Sequence, residues 1–148
     1  MTPSIIENLY RVFSKYKLHQ KVTGCYCGVC LDEEFNSYVH NTQLTELSES
    51  YLEFYLMAVG ILDEEGNDFK YFLPRILEVL LNSKNQSSHF YTIIWKTLGN
   101  ATKYFNEEER LLLMQFAEAW YDKAKQSNDS ETVECALLDL EEAGINIQ

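Results

Sequence analysis

Apolar residues recur every three to four positions along nearly the whole of this chain. Ile5, Leu9 and Val12 share one helical face, and Leu52 and Tyr55 share another. This spacing matches the 3.6-residue period of an amphipathic helix, whereas a half-buried strand would alternate apolar and polar residues. The pattern therefore predicts about seven helices and no convincing strand.

The chain has 148 residues, which suits one domain large enough to bury a core without disulfides or metal. Hydrophobic residues make up 46% of it, so a packed globule is favoured over disorder. Short connections between helices favour antiparallel neighbours. We expect a single all-α domain over residues 1–148, built as a compact bundle or a stack of antiparallel helices.

Several residues predict where individual helices begin and end. Ser48 is placed to cap one helix, and Asn106 with Glu109 has the spacing of a capping box. Gly144 predicts the end of the last helix. Pro74 lies inside a run that is apolar nearly all round, and its missing N–H predicts a backbone break with a new helix starting there.

The formal net charge of −11 restricts the class of partner. A field of this sign repels nucleic-acid phosphates and anionic membrane surfaces, and it attracts basic proteins. The first residues lack a basic stretch followed by a long apolar core, and no apolar run approaches the roughly 20 residues that cross a bilayer. We expect a cytoplasmic protein that binds a basic protein, with no nucleic-acid or membrane partner.

Three of the four cysteines, Cys25, Cys27 and Cys30, fall within six residues of each other. Cys27 and Cys30 have the spacing of a zinc knuckle, with Cys25 as a third ligand, but a second close pair of ligands is missing. A redox pair would be expected between a strand and a helix, and no strand is predicted. We favour buried thiols in a tight turn and no cofactor, with zinc as the alternative.

No pattern typical of an enzyme is present. The chain has neither a Gly-x-Ser-x-Gly elbow nor a glycine-rich phosphate loop. His40 is interpreted as a helix-end residue whose ring is satisfied by carbonyls or water. Arg75 is interpreted as one half of a structural ion pair, with Asp68 or Glu78 as its partner, because a buried unpaired charge is costly. We expect no catalytic activity.

Cys27-x-x-Cys30 and the later segment from Asp68 to Glu78 resemble a group of small bacterial helical proteins. Members of that group carry an N-terminal cysteine pair and an acidic, aromatic DFKxFLPRxLE segment, of which Leu-Pro-Arg is the most specific part. The resemblance covers residues 25–81. It is carried by these residues: Cys27-x-x-Cys30, Leu44-x-x-Leu47-Ser48, Leu52, Tyr55, and Asp68-Phe69-Lys70-Tyr71-Phe72-Leu73-Pro74-Arg75-Ile76-Leu77-Glu78.

Some members of that group are encoded beside polymorphic toxins, so the resemblance implies an immunity (antitoxin) protein. Such a protein would bind and block a secreted antibacterial toxin, for example an ADP-ribosyltransferase or a nuclease, as a monomer or small oligomer. A zinc-stabilised helical adaptor without a toxin partner is the alternative. The residues predicted to contact the toxin are Asp63, Glu64, Glu65, Asp68, Glu107, Glu108 and Glu109.

Overall fold

A computed structural model describes residues 4–22, 33–58, 67–82, 88–126, 134, 136–138, 140–141 and 143–145. Within these residues the chain is all-α, as predicted, and contains no strand. The helices are α1 (Ile5–Phe13), α2 (Glu33–Asn41), α3 (Glu49–Ala58), α4 (Asn67–Asn82), α5 (Ser88–Ala101) and α6 (Glu107–Lys125). Short 3-10 helices cover Leu44–Glu46 and Thr102–Tyr104, and residues 134, 136–138 and 140–141 are also helical.

The chain divides into two compact units. A central unit comprises Leu9–Lys84, and a terminal unit comprises Met1–Asn8 with Asn85–Gln148. The boundary falls inside α1. The prediction of one domain over residues 1–148 stays a prediction.

In the central unit, aromatic side chains join α2, α3 and α4. Phe35 of α2 stacks on Tyr55 of α3, with ring centroids 6.3 Å apart. Tyr55 in turn contacts Phe72 of α4 at 4.6 Å. All three side chains are at most 3% exposed, so this row of rings is a continuous part of the core.

In the terminal unit, the core between α5 and α6 is built around Trp95. Its ring lies 5.1 Å from that of Trp120 and 6.2 Å from that of Phe116. Trp95 is 1% exposed and Phe116 is fully buried. Large rings of this kind bury much apolar area each, so the cluster stabilises the contact between the two helices.

The predicted helix ends agree with the structure. Ser48 Oγ accepts the Tyr51 N–H at 3.3 Å at the start of α3, and Asn106 and Glu109 form a complete capping box at the start of α6. Gly144 has a φ of +78°, the left-handed conformation that glycine adopts without strain. The Ile145 and Gly144 N–H groups return to the carbonyls of Leu140 and Glu141, which is the Schellman pattern.

The predicted break at Pro74 is wrong, because α4 runs unbroken from Asn67 to Asn82 with Pro74 inside it. A proline inside a helix removes one hydrogen bond and costs about 3 kcal/mol. Phe72, Leu73 and Ile76 around it are at most 1% exposed, and each contributes about 1.5–3 kcal/mol by burial. The burial of this apolar run therefore outweighs the cost of the proline.

Candidate functional site

Six of the residues predicted to form a site lie outside the described residues: Cys25, Cys27, Cys30, Asp63, Glu64 and Glu65. Their roles as metal ligands and as partner contacts stay predictions. In the described part of the chain, no group of three or more His, Cys, Asp or Glu side chains is arranged to hold a metal ion.

Asp68, also predicted to contact a partner, points into the central unit. It is 2% exposed in the first turn of α4. Its Oδ1 accepts the His19 backbone N–H at 2.9 Å, and its Oδ2 lies 3.0 Å from His19 Nδ1. Because a carboxylate only accepts hydrogen bonds, Nδ1 is the donor in this contact. Both oxygens of Asp68 therefore hold His19 in place, and this carboxylate is not on the protein surface.

The three glutamates at the start of α6 divide into two kinds. Glu107 and Glu108 are exposed, whereas Glu109 is 0% exposed. Glu109 Oε1 accepts the Asn106 N–H at 2.9 Å, and the Glu109 N–H donates to Asn106 Oδ1 at 2.8 Å. Glu109 thus closes the N-terminus of the helix, and only Glu107 and Glu108 offer their carboxylates to a partner.

Two other polar residues are placed as the sequence predicts. Arg75 forms an ion pair with Glu78 at 2.7 Å and donates through Nε to the Leu47 carbonyl at 3.0 Å. His40 lies at the end of α2, with Nδ1 2.7 Å from the Asn36 carbonyl and Nε2 2.8 Å from the His19 carbonyl. Both residues connect segments of the central unit and are structural.

Glu78 also accepts a hydrogen bond from Tyr10 of α1 at 2.8 Å. The pKa of Tyr10 is raised well above its ordinary value, first because burial disfavours the phenolate and then because Glu78 holds the phenol proton. Tyr71 has a pKa raised by burial alone. These shifts keep both side chains neutral, which suits a structural role.

The central unit has a groove between α2 and α3. The cavity measures about 280 Å³ and is lined by Glu34, Phe35, Ser50, Tyr51 and Phe54. The Phe35 ring lies 6.1 Å from both the Tyr51 ring and the Phe54 ring. Three aromatic rings, of which that of Phe35 is only 3% exposed, therefore form its apolar floor, and Glu34 and Ser50 are its polar lining residues.

The outer side of the groove exposes large apolar side chains. Phe54 is 46% exposed, and Met57, three residues further along α3, is 62% exposed. Residues three apart on a helix are neighbours on one face. Aromatic and methionine side chains are enriched at protein–protein interfaces, so this face of α3 is suited to contact another molecule.

Tyr38 connects α2 to the first residues of α3, which include the groove residue Tyr51. Tyr38 of α2 stacks on Tyr51 of α3 with ring centroids 3.8 Å apart. The Tyr38 hydroxyl accepts the Ser48 backbone N–H at 3.0 Å, directly before α3 begins. A partner would not have to order these rings on binding, and this lowers the entropic cost of association.

The stretch of sequence that supplies α2 and α3 is strongly acidic. Between Lys21 and Lys70 the sequence has no lysine or arginine and ten acidic residues: Asp32, Glu33, Glu34, Glu46, Glu49, Glu53, Asp63, Glu64, Glu65 and Asp68. Of these, Glu33, Glu34 and Glu49 are exposed at the starts of α2 and α3. An aromatic groove with such surroundings favours a cationic group.

The residues predicted to contact a partner are all acidic, and the aromatic residues that line the groove were not among them. The apolar stripe of α3 contains Leu52, Tyr55 and Leu56, which are all buried. Phe54 and Met57 lie off that stripe, on the side of the helix that should be polar. Large apolar residues outside the core stripe were the signal that could have revealed this surface.

A second cavity, of about 240 Å³, lies in the terminal unit. It is lined mainly by apolar side chains from α5, α6 and the segment that ends at Ile145, with Arg110 as its charged member. None of its residues was predicted to form a site.

Comparison of this chain with protein-family models, with curated proteins and with solved structures finds no match. Within the described ranges, none of the helices combines the length and the apolarity that crossing a bilayer requires.

Proposed function

We propose that this protein is an immunity protein, which binds a secreted antibacterial toxin and blocks it by covering the toxin's active site. The observation that carries the proposal is the groove between α2 and α3, with its aromatic floor, exposed Phe54 and negative surroundings. The resemblance of residues 25–81 to proteins encoded beside polymorphic toxins agrees with it. On this proposal the protein acts in the cytoplasm and catalyses no reaction.

The physical basis is the combination of anchors and charge. A few aromatic residues in a preformed pocket supply most of the binding energy in many protein interfaces. Phe54 and Tyr51 are suited to this part, because Phe35 and Tyr38 hold them in position. The negative field adds specificity and a faster encounter with a basic partner.

A toxin that acts on nucleic acid is well matched to this surface. A nuclease must bind phosphates, and proteins do so with lysine and arginine side chains. The face of such an enzyme that surrounds its active site is therefore basic. An acidic inhibitor docked on that face would exclude the substrate by charge as well as by bulk. An ADP-ribosyltransferase, which binds a dinucleotide, is the second toxin class that we propose.

The decisive experiment is co-expression with the product of the adjacent gene. We expect that product to stop growth of a bacterial host when expressed alone and to be tolerated when this protein is present. The two proteins should also elute together in size-exclusion chromatography. The proposal fails if the neighbour remains equally toxic with this protein present at a higher level, or if the neighbour is harmless by itself.

A further inference from the structure

We infer that the groove between α2 and α3 binds an arginine side chain from a basic segment of the partner. This inference rests on the proposed function, and it specifies the chemical group that the groove recognises. It is based on the residues that line the groove: the aromatic residues Phe35, Tyr51 and Phe54, with Glu34 and Ser50. Phe35 is 3% exposed, so the rings that a ligand can reach are those of Tyr51 and Phe54.

A planar cation satisfies these surfaces better than any other side chain. A guanidinium stacks on an aromatic ring, where the negative ring face attracts it. Its five N–H donors also pair with a carboxylate through two parallel hydrogen bonds. Glu34 is exposed beside the aromatic floor and carries no ion pair among the described residues, so its carboxylate can take this part.

Lysine fits the same groove less well. Its ammonium is a compact, strongly hydrated point charge that must lose water to approach a ring face. An ammonium is also not planar, so it cannot stack on a ring and donate two parallel hydrogen bonds to a carboxylate at the same time. The groove should therefore bind arginine more tightly than lysine, although the two side chains have equal charge. General attraction to a negative protein would not distinguish them.

Size and charge disfavour other occupants. The cavity of about 280 Å³ lies at the lower edge of the roughly 300–1,000 Å³ typical of small-molecule sites, so it suits a side chain. A second copy of this chain would bring a further net charge of −11 to a region that already has ten acidic residues and no lysine or arginine. Repulsion of like charges disfavours that arrangement.

The test uses three capped peptides, Gly-Arg-Gly, Gly-Lys-Gly and Gly-Glu-Gly, titrated into the full-length protein. Binding is followed by the NMR chemical shifts of the aromatic ring protons. We expect the arginine peptide to shift the resonances of Tyr51 and Phe54 and to bind about two- to fivefold more tightly than the lysine peptide. The glutamate peptide should produce no saturable shift.

Each of two substitutions in the groove is compared with the same kind of substitution at an exposed residue of α6. Phe54→Ala removes an exposed ring, and Leu111→Ala removes an apolar side chain that is 62% exposed. Glu34→Gln and Glu118→Gln each remove one negative charge from an exposed helical glutamate. We expect arginine binding to weaken about two- to fivefold in the groove variants and to stay unchanged in the controls. Thermal unfolding of each variant shows whether the fold is kept.

The inference is overturned if the arginine and lysine peptides bind equally, or if Phe54→Ala and Leu111→Ala have the same effect. Co-expression separates this failure from that of the proposed function. If the native protein neutralises the toxin but the peptides are not discriminated, the inhibitor function stands and the arginine site does not. If arginine binds as expected but the native protein gives no protection, only the proposed function fails.

Discussion

At the scale of single residues, Glu78 contacts two side chains of the central unit. It accepts a hydrogen bond from Tyr10 of α1 and forms an ion pair with Arg75, which also donates to the Leu47 carbonyl. One carboxylate thus connects α1, α4 and the segment before α3. Removing one member of such a network leaves the others incompletely paired, and this costs more than the lost contact alone.

Tyr10→Phe tests this network through its dependence on pH. The pKa of Tyr10 is raised in the folded protein, so its contribution to stability is complete below its unfolded pKa of about 10 and is lost as the pH rises through the folded value. We expect the free energy of unfolding of the native protein to fall between pH 10 and 12. The fall should be smaller in Tyr10→Phe. Urea unfolding at pH 7, 10, 11 and 12 measures how steeply the free energy of unfolding falls with pH in the native protein and in Tyr10→Phe.

Tyr71→Phe is the comparison for that experiment, because the pKa of Tyr71 is raised in the same direction by burial without a carboxylate partner. At pH 7, Tyr10→Phe should cost about 1 kcal/mol for the lost hydrogen bond. Parallel pH profiles for the native protein and Tyr10→Phe would show that the phenol proton does not contribute.

Trp95 provides a second test at the residue scale. It is 1% exposed, and its Nε1 is a buried atom without a hydrogen-bond partner within the described residues. Trp95→Ala should cost about 3–5 kcal/mol, since it removes a large ring from the core. Trp95→Phe keeps most of the ring and removes the unpaired N–H, so we expect a loss of only about 1–2 kcal/mol. Equal losses in the two variants, measured by urea unfolding, would contradict this interpretation.

At the scale of helices, the N-terminus of α6 depends on one residue. Asn106 and Glu109 satisfy each other's backbone N–H groups, so Asn106→Ala removes one acceptor and loosens the other. We expect this change to lower the free energy of unfolding by about 1 kcal/mol. Asn106→Ser keeps a capping oxygen and should remain close to the native protein. An alanine variant as stable as the serine variant would show that α6 does not depend on this cap.

Helix ends were predictable here because they are set by local chemistry. Ser48, Asn106 and Gly144 each act on backbone groups within a few residues of themselves. Pro74 was predicted wrongly because the outcome depends on packing. Its local cost is fixed, and the burial that offsets it comes from contacts of α4 with other segments. The run that is apolar all round indicates a buried helix, but it does not show that burial outweighs the cost of the proline.

The candidate site shows the same difference between features set by local chemistry and features set by packing. Acidic runs indicate a negative surface, but they do not show which carboxylates face water. Asp68 and Glu109 are both buried, and each accepts a backbone N–H: Asp68 that of His19, 49 residues away in sequence, and Glu109 that of Asn106 at the start of α6. The groove needs α2 and α3 side by side. That pairing depends on contacts such as the stacking of Tyr38 on Tyr51, which no spacing in the sequence predicts.

At the scale of the whole molecule, negative charge is shared by both units. The central unit has seven basic and eleven acidic residues, and the terminal unit has five and twelve, so the net charges are −4 and −7. Within the central unit every lysine and arginine lies before Val22 or after Phe69. The acidic residues between Val22 and Phe69, a stretch that includes the groove, therefore repel one another. No lysine or arginine lies within that stretch to offset the repulsion. Such a surface should stabilise a complex with a basic partner while costing the free protein some stability.

The cost to the free protein can be measured by its response to salt. Repulsion between exposed charges acts over about 30 Å at 0.01 M ionic strength and over about 10 Å at 0.1 M. We expect the melting temperature to rise when NaCl increases from 0.01 to 0.3 M. Two charge reversals at exposed helical residues test whether net charge is the cause: Glu118→Lys changes it from −11 to −9, and Lys96→Glu changes it from −11 to −13. The rise should be smaller in the first variant and larger in the second. An identical rise in all three proteins would point to binding of a specific ion, and it would remove the argument that the acidic surface is kept at the expense of stability.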